Sequence, residues 1–293
     1  MSQLASNVTD LTGGSLAGRH RKNRLMTWFL TVLMGGVVAI LLWVLAYVAL
    51  KGYSALNWKF LTDTPPGNPS DAGGGFANGI VGSVIIVGIA TLLAIPVGIG
   101  AAIFLSEYGD GRFASLVRFL TDVTLGIPTI VVGAFVYAIW VLNFGFSGYA
   151  GALAMAIVML PLIVRASEEM LRLVPNDLRE ASLAMGVTRA RTTLSVVLPA
   201  ATSGLITGVM LAVARAMGET APLLLTTLGN DLYMERDPGH RMSTLSLQIF
   251  GSATAGFPDA LARAWAGALT LVGMVLILYV AARLIGRRNI ARA

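Results

Sequence analysis

Glu180-Ala181-Ser182, then three residues, Gly186, nine residues, and Val196-Val197-Leu198-Pro199 form a polar, mildly amphipathic stretch between two hydrophobic spans. Membrane chains usually keep such connections short, so a long ordered one marks a docking surface rather than a tether. Asp177 is placed to cap a helix start, and Glu180 three residues later completes a capping box. Leu178, Ala181 and Met185 share one face at helical spacing. Gly186 suits the left-handed turn that ends such a helix. A second short helix is predicted from about Thr188 towards Pro199. The bland alternative for this helix–glycine–helix elbow is a soluble hairpin that merely caps a bundle.

The composition places the elbow in a membrane protein. Hydrophobic residues make up 56% of the 293 and charged residues 12%, and the mean hydropathy is +0.76. Soluble domains carry about 25% charged residues, so the expected class is an all-α integral membrane protein. Cysteine is absent, which excludes disulfides and thiolate metal sites. His20 and His240 are too far apart in sequence to suggest a metal motif. The net charge of +6 fits topology, an anionic substrate, or both.

Apolar stretches long enough to cross a bilayer predict six transmembrane helices. They lie at 25–50, 79–105, within 123–164, at about 199–229, and at 264–282. The stretch 123–164 is twice the needed length and is expected to break at Asn143-Phe144-Gly145-Phe146-Ser147-Gly148 into two. Residues 1–24 are Ser/Gly/Thr-rich and basic and read as a flexible cytoplasmic tail. The first apolar stretch is too long for the core of a signal peptide and reads as a retained span. An irregular outer loop, 51–77, contains Pro65-Pro66-Gly67 and Gly73-Gly74-Gly75. A core follows over 78–286, with the elbow loop at about 172–198, and 287–293 reads as a second tail. In the other outer loop, about 230–262, the run Leu245-Ser246-Leu247-Gln248-Ile249-Phe250 is expected on the membrane surface or partly re-entering it.

Lys and Arg positions orient the spans. With the amino-terminus inside, fourteen fall on the cytoplasmic side and five on the outer side. The inner set is Arg19, Arg21, Lys22, Arg24, Arg112, Arg118, Arg172, Arg179, Arg189, Arg191, Arg283, Arg287, Arg288 and Arg292. The outer set is Lys51, Lys59, Arg236, Arg241 and Arg263. Both termini are therefore expected in the cytoplasm, with the protein multi-pass in the plasma membrane.

Arg165 and Arg215 are left over. Arg215 lies inside the fifth span with Glu219 one turn on, where charge costs about 3 kcal/mol per residue and normally faces protein or a water-filled path. The two are spaced to pair. Pro222 removes the hydrogen bond to the Gly218 carbonyl and is expected to bend the helix there. Gly204, Gly208 and Ala212 allow a close helix contact that points the pair into a bundle. The pair is then either a structural lock or an anion site in which Arg215 donates to substrate oxygens while Glu219 restrains it. Arg165, near the inner end of its helix, either snorkels to the interface or forms a second cationic station on the same route.

Sequence motifs for catalysis are missing. The only lysines are Lys22, Lys51 and Lys59, none preceded by glycine, so the chain has no P-loop. No metalloprotease or nucleophile-elbow motif appears, and an enzyme is not expected. Any ATP that drives transport must be hydrolysed by another subunit.

The elbow resembles the EAA loop of bacterial ABC importer permeases, with Ser182 standing for the second alanine and Val196 for the usual isoleucine. Three further segments narrow the resemblance. They are Thr124-Leu125-Gly126-Ile127-Pro128-Thr129-Ile130-Val131-Val132-Gly133, Leu173-Val174-Pro175-Asn176 with Leu178-Arg179-Glu180-Ala181, and Ala214-Arg215-Ala216-Met217-Gly218-Glu219-Thr220-Ala221-Pro222-Leu223. Together they are similar to the PstA family of phosphate-importer permeases from about residue 75 onward. That resemblance implies a type I ABC permease fold with a cytoplasmic coupling helix at about 176–191, centred on Glu180 and Gly186. It also implies a bacterial inner-membrane location and phosphate translocation, with Arg165, Arg215 and Glu219 matching the family's membrane arginines and acid. The implied partners are a PstC-like permease, two copies of a PstB-like ATPase holding ATP and Mg, and a PstS-like phosphate-binding protein; nucleic acid is not among them, and no cofactor is expected in this chain. Rival functions are a permease for molybdate, sulfate or phosphonate, an ion-gradient carrier, and a regulatory membrane scaffold.

Overall fold

The structure is a computed structural model that describes residues 16–290, with side chains described for 18–284. Two compact units divide at Leu50. The first is essentially helix α1 (Leu16–Tyr53), whose most apolar window has a mean hydropathy of 2.6. Its helix begins at Leu16, so residues 16–24 of the expected tail are helical, and 1–15 lie outside the described residues. The helical stretch at the other end likewise runs to Ile290, and 291–293 lie outside.

The second unit starts with the short helix α2 (Trp58–Thr62), capped by Asn57, whose Oδ1 accepts from the Phe60 amide. Helix α3 (Ala77–Ile103) follows and continues as a π-helical turn, Phe104–Tyr108. Helix α4 (Arg112–Gly126) is amphipathic, and at Ile127-Pro128 the chain bends by 101° into α5 (Thr129–Val136). A π-turn, Tyr137–Val141, and α6 (Leu142–Phe144) complete that arm. The expected third span at Val123 is therefore two helices meeting at an elbow of their own. Pro128 has no N–H to continue α4 and biases Ile127 out of helical geometry; Ile127 is extended, at ψ 130.

The break at 143–148 lies where the residue types place it. Gly145 adopts φ +85, and Ser147 caps α7 (Gly148–Arg172) by accepting from the Ala150 amide at 3.2 Å. The water-side elbow is α8 (Asn176–Ala184) and α9 (Arg189–Thr192). A π-turn, Thr193–Val197, runs from α9 straight into α10 (Leu198–Gly218), so elbow and span form one 30-residue rod, Arg189–Gly218. Then come α11 (Ala221–Thr226), α12 (Leu245–Thr254) and α13 (Pro258–Ile290). Among the described residues five helices are long and apolar enough to cross a membrane, and the bent pair α4–α6, counted as one span, gives six.

The centre of the second unit is α3 against α7, with α10 alongside. Ile86, Ala90 and Ala94 of α3 meet Met155, Met159 and Ile163 of α7 and Ala212 and Ala216 of α10. Lipid tails are as apolar as leucine, so close packing rather than water exclusion drives such contacts, and small residues serve it. Gly208 illustrates this: a Cβ there would stand 2.8 Å from Ala166 Cβ on α7. Gly204 faces Met170 of the same helix, so the small-residue stripe does seat α10 on α7.

The fifth span ends earlier than its hydropathy indicates. Pro222 does not bend a continuous helix: α10 stops at Gly218, Glu219 is extended at ψ 131, and Pro222 sits in the first turn of α11, where no N–H is needed. The reason is packing against α5, for a Cβ on Gly133 would lie 2.6 Å from Pro222 Cα. The run from Leu245 forms a short helix packed against its neighbours. Leu245, Ser246, Leu247 and Gln248 are buried in α12 against α3 and α13, because this segment carries polar groups that complete a network inside the protein.

Substituting Gly208 with Ile should drive α10 off α7 and cost about 1–3 kcal/mol. The thermal unfolding midpoint of the detergent-solubilised protein should fall, while Gly273→Ala, which meets nothing within 4 Å, should leave it in place.

Candidate functional site

Arg215 stands in the last turn of α10, where a cation suits the helix's carbonyl end. Its Nε donates to Glu219 Oε1 at 3.3 Å, and the side chain is 51% exposed against 18% for Glu219. Its two terminal nitrogens donate to no described residue. Glu219 is held from two further sides. Thr129 Oγ1, in the first turn of α5, donates to its Oε2 at 3.1 Å, and Ser246 Oγ of α12 donates to its main-chain carbonyl at 2.8 Å. Thus the acid is fixed by three elements while the guanidinium is tethered by one bond. Arg215 also borders a small pocket with Thr124, Leu125, Thr129, Val158 and Pro161. The arrangement presents a forked pair of donors to any oxyanion that reaches it. Gly218 ends α10, and the open turn at 219–220 leaves Glu219 free to face Thr129.

Arg165 lies on α7 four residues past Pro161, about 6 Å along the helix at 1.5 Å per residue. Its Nε is 3.1 Å from Glu169 and its Nη1 is 4.0 Å from Asp122 of α4. The two arginines do not touch, but both lie along the α4–α7 side of the unit. Arg165 belongs to a half-exposed cluster with two carboxylates.

The elbow differs from its expected capping and agrees in its turn. Pro175, not Asp177, occupies the cap position of α8, and no side chain caps the helix. Proline's fixed φ and missing N–H set the start there. Asp177 sits inside the first turn and stabilises the amino end as a charge. Gly186 has φ +79, with its N–H on Leu183 O and the Val187 N–H on Ser182 O, the bond pair of a Schellman ending. Glu180, Ala181, Leu178 and Met185 are all exposed, so the apolar face of α8 is turned away from the core. Ser182 and Thr192 hydroxyls, 2.9 Å apart and buried, hold the two arms together.

A set of buried charges escaped the sequence reading. Glu168, 2% exposed, pairs with Arg118 Nε at 2.7 Å and Arg172 Nη2 at 2.6 Å. Glu107, 5% exposed, accepts from Arg179 Nη2 at 2.9 Å and Nε at 3.3 Å. The available signal was an acid at the end of each of two apolar spans, with arginines in the neighbouring segments. At the opposite end Asn78, Asp231, Ser243 and Gln248 form a second polar network, with Gln248 Nε2 2.8 Å from both Asn78 Oδ1 and Asp231 Oδ1. Arg263 there donates to the carbonyls of Pro69, Asp71 and Gly73 and pins the loop before α3.

These features together, an elbow projecting from one end of a small-residue bundle and a forked cation beside a helix break, define a membrane permease. The chain belongs to the family of inner membrane components of binding-protein-dependent transport systems, whose model matches residues 94–290. It is thus a non-catalytic, multi-pass inner-membrane subunit of a binding-protein-dependent transport system. A bacterial alginate ABC transporter has the same fold, with a TM-score of 0.65 at 13% identity over 94% of this chain and 99% of that one. The MetNI methionine ABC transporter gives 0.59 at 18% identity over 73% and 95%. Phosphate transport system permease protein PstA of Yersinia pestis is 41% identical over 274 residues, 92% of this chain and 91% of its own length. The corresponding protein of Haemophilus influenzae is 40% identical over 267 residues, covering 90% and 93%. The protein described here is a phosphate ABC transporter permease subunit.

Replacing Glu168 with Ala strands Arg118 beside buried carbonyls and should cost about 3–5 kcal/mol. A lower yield of intact, detergent-extracted protein is the expected readout, with Glu168→Gln intermediate.

Proposed function

We propose that phosphate crosses the membrane beside Arg215, with Glu219 holding that side chain in place when the path is empty. The observation that carries this is the asymmetry of the pair. Glu219 occupies only Nε of Arg215, so both terminal donors stay available to an oxyanion, at a depth where a charge without a purpose is costly. Arg165 then acts as a second cationic station nearer the cytoplasm. A divalent anion needs more than one positive charge, so a cation from a partner permease faces Arg215. The contact is weak enough for release, and selectivity rests mainly with the external binding protein.

Force enters at the elbow. Glu180, Ala181, Gly186 and Asp177 lie on or beside the exposed face of α8, which fits a cleft in an ATPase that binds ATP and Mg. Closure of two PstB-like ATPases pushes this elbow towards that of a PstC-like permease and opens the bundle to a PstS-like phosphate-binding protein. Hydrolysis resets the bundle and phosphate leaves inward. The excess of Lys and Arg on the elbow side supports a cytoplasmic assignment for that side and for both termini.

Arg215→Gln removes a charge-assisted contact of about 1.5–3 kcal/mol and should lower phosphate uptake about tenfold or more in an intact complex. Loss of assembly instead of transport would return the pair to a structural role. Variants of Glu180 or Gly186 should let ATP hydrolysis proceed with reduced uptake, and unchanged uptake in both would sink the docking assignment. Vesicles holding the permease alone should accumulate no phosphate.

A further inference from the structure

The π-helical turn Phe104–Tyr108 at the end of α3 is where three otherwise separate elements meet. Glu107 takes two hydrogen bonds from Arg179 of α8, the first arm of the elbow. Tyr108, the next residue, lies under the guanidinium of Arg189 in α9, the second arm, 5.3 Å from its ring centre, within cation–π range. The main chain of the same turn serves α4: Arg118 Nη2 donates to Leu105 O at 2.6 Å, and Nη1 to Gly109 O at 3.3 Å. A π-turn carries one extra residue per turn and leaves carbonyls out of register, which is what gives Arg118 an acceptor there.

Arg179 is tied more firmly than a surface pair. It also donates to Leu171 O at 2.8 Å, to Val174 O and to Asn176 Oδ1 at 3.3 Å. Its side chain is mostly buried. The elbow's first arm is thereby fixed to α3 through Glu107 and to the end of α7 through those carbonyls. Arg118 joins the same turn to α4, whose far end, at Thr124 and Leu125, borders the Arg215 pocket. The chain then turns at Pro128, and Thr129 meets Glu219.

Resting on the docking role given above to the elbow, we propose that Glu107 is the positioning residue that makes the elbow and the inner end of α3 move as one body. A displacement of the elbow is then delivered through Arg118 and α4 to the Thr129–Glu219–Arg215 site. Glu107 touches neither phosphate nor nucleotide. Its effect is on how much of the ATPase's motion reaches the path.

The test uses the complete transporter in proteoliposomes with binding protein, measuring ATP hydrolysed per phosphate taken up. Glu107→Gln keeps the shape and loses the charge; Glu107→Ala loses both bonds. The ratio should rise severalfold in Gln and further in Ala among complexes shown by size exclusion to be assembled. A purely structural role would lower both activities together and leave the ratio alone. Should the Ala variant fail to assemble, the Gln variant decides the matter. Met185→Asp, on the exposed face of α8, separates the two levels of the argument. Normal uptake in that variant removes the docking role and this inference with it. Lost uptake there, with an unchanged ratio at Glu107, overturns this inference alone.

Discussion

A carboxylate buried among helices must be matched by a cation, and that constraint shapes this permease more than any other. The buried acids Glu107 and Glu168 are each met by arginine, and the bonds formed join helices that are distant in sequence. Arg118 ties α4 to both α3 and α7, and Arg179 ties the elbow to α3 and α7. In a medium where apolar contact gives little net driving force, such bonds specify which helices are neighbours. Arg215 is the exception, because its carboxylate is held by Thr129 and its own terminal nitrogens are left open.

A related constraint explains why the helices break where they do. A peptide group without a partner is costly in the membrane, so each interruption is closed by a side chain or a neighbouring turn. Ser246 takes up the carbonyl of Glu219, Ser147 caps α7, and Ser83 accepts the Leu245 amide at 2.9 Å. Breaks repaired in this way let α5, α10 and α12 converge on Glu219 from three directions. The proposed phosphate route passes the least regular part of the bundle for that reason.

Much of this was legible from residue types. The break around Gly145, the left-handed Gly186, the close approach at Gly208 and the pairing of Arg215 with Glu219 each follow from local chemistry or fixed spacing. The misplacements share a cause. Hydropathy runs across Pro128 and through Glu219 because a sharp turn inside the protein is as apolar as a straight helix. The packing of the segment from Leu245 is not legible locally, because the partners of Ser246 and Gln248 are the Glu219 carbonyl, Asn78 on α3 and Asp231. Asp177 is not the cap because Pro175, two residues earlier, sets the helix start.

By itself the sequence determined that this chain lives in a membrane, that it carries a polar helix–glycine–helix elbow, and that a cation with an attendant acid lies within an apolar stretch. These depend on composition and on contacts four residues apart. The tertiary structure alone decided which side of Arg215 is free, which face of α8 looks outward, and that Glu107 grips the elbow. Those depend on pairs 72 and 90 residues apart, Arg179 with Glu107 and Thr129 with Glu219. No local periodicity encodes such distances, since only the packing of whole helices brings the partners within hydrogen-bond reach.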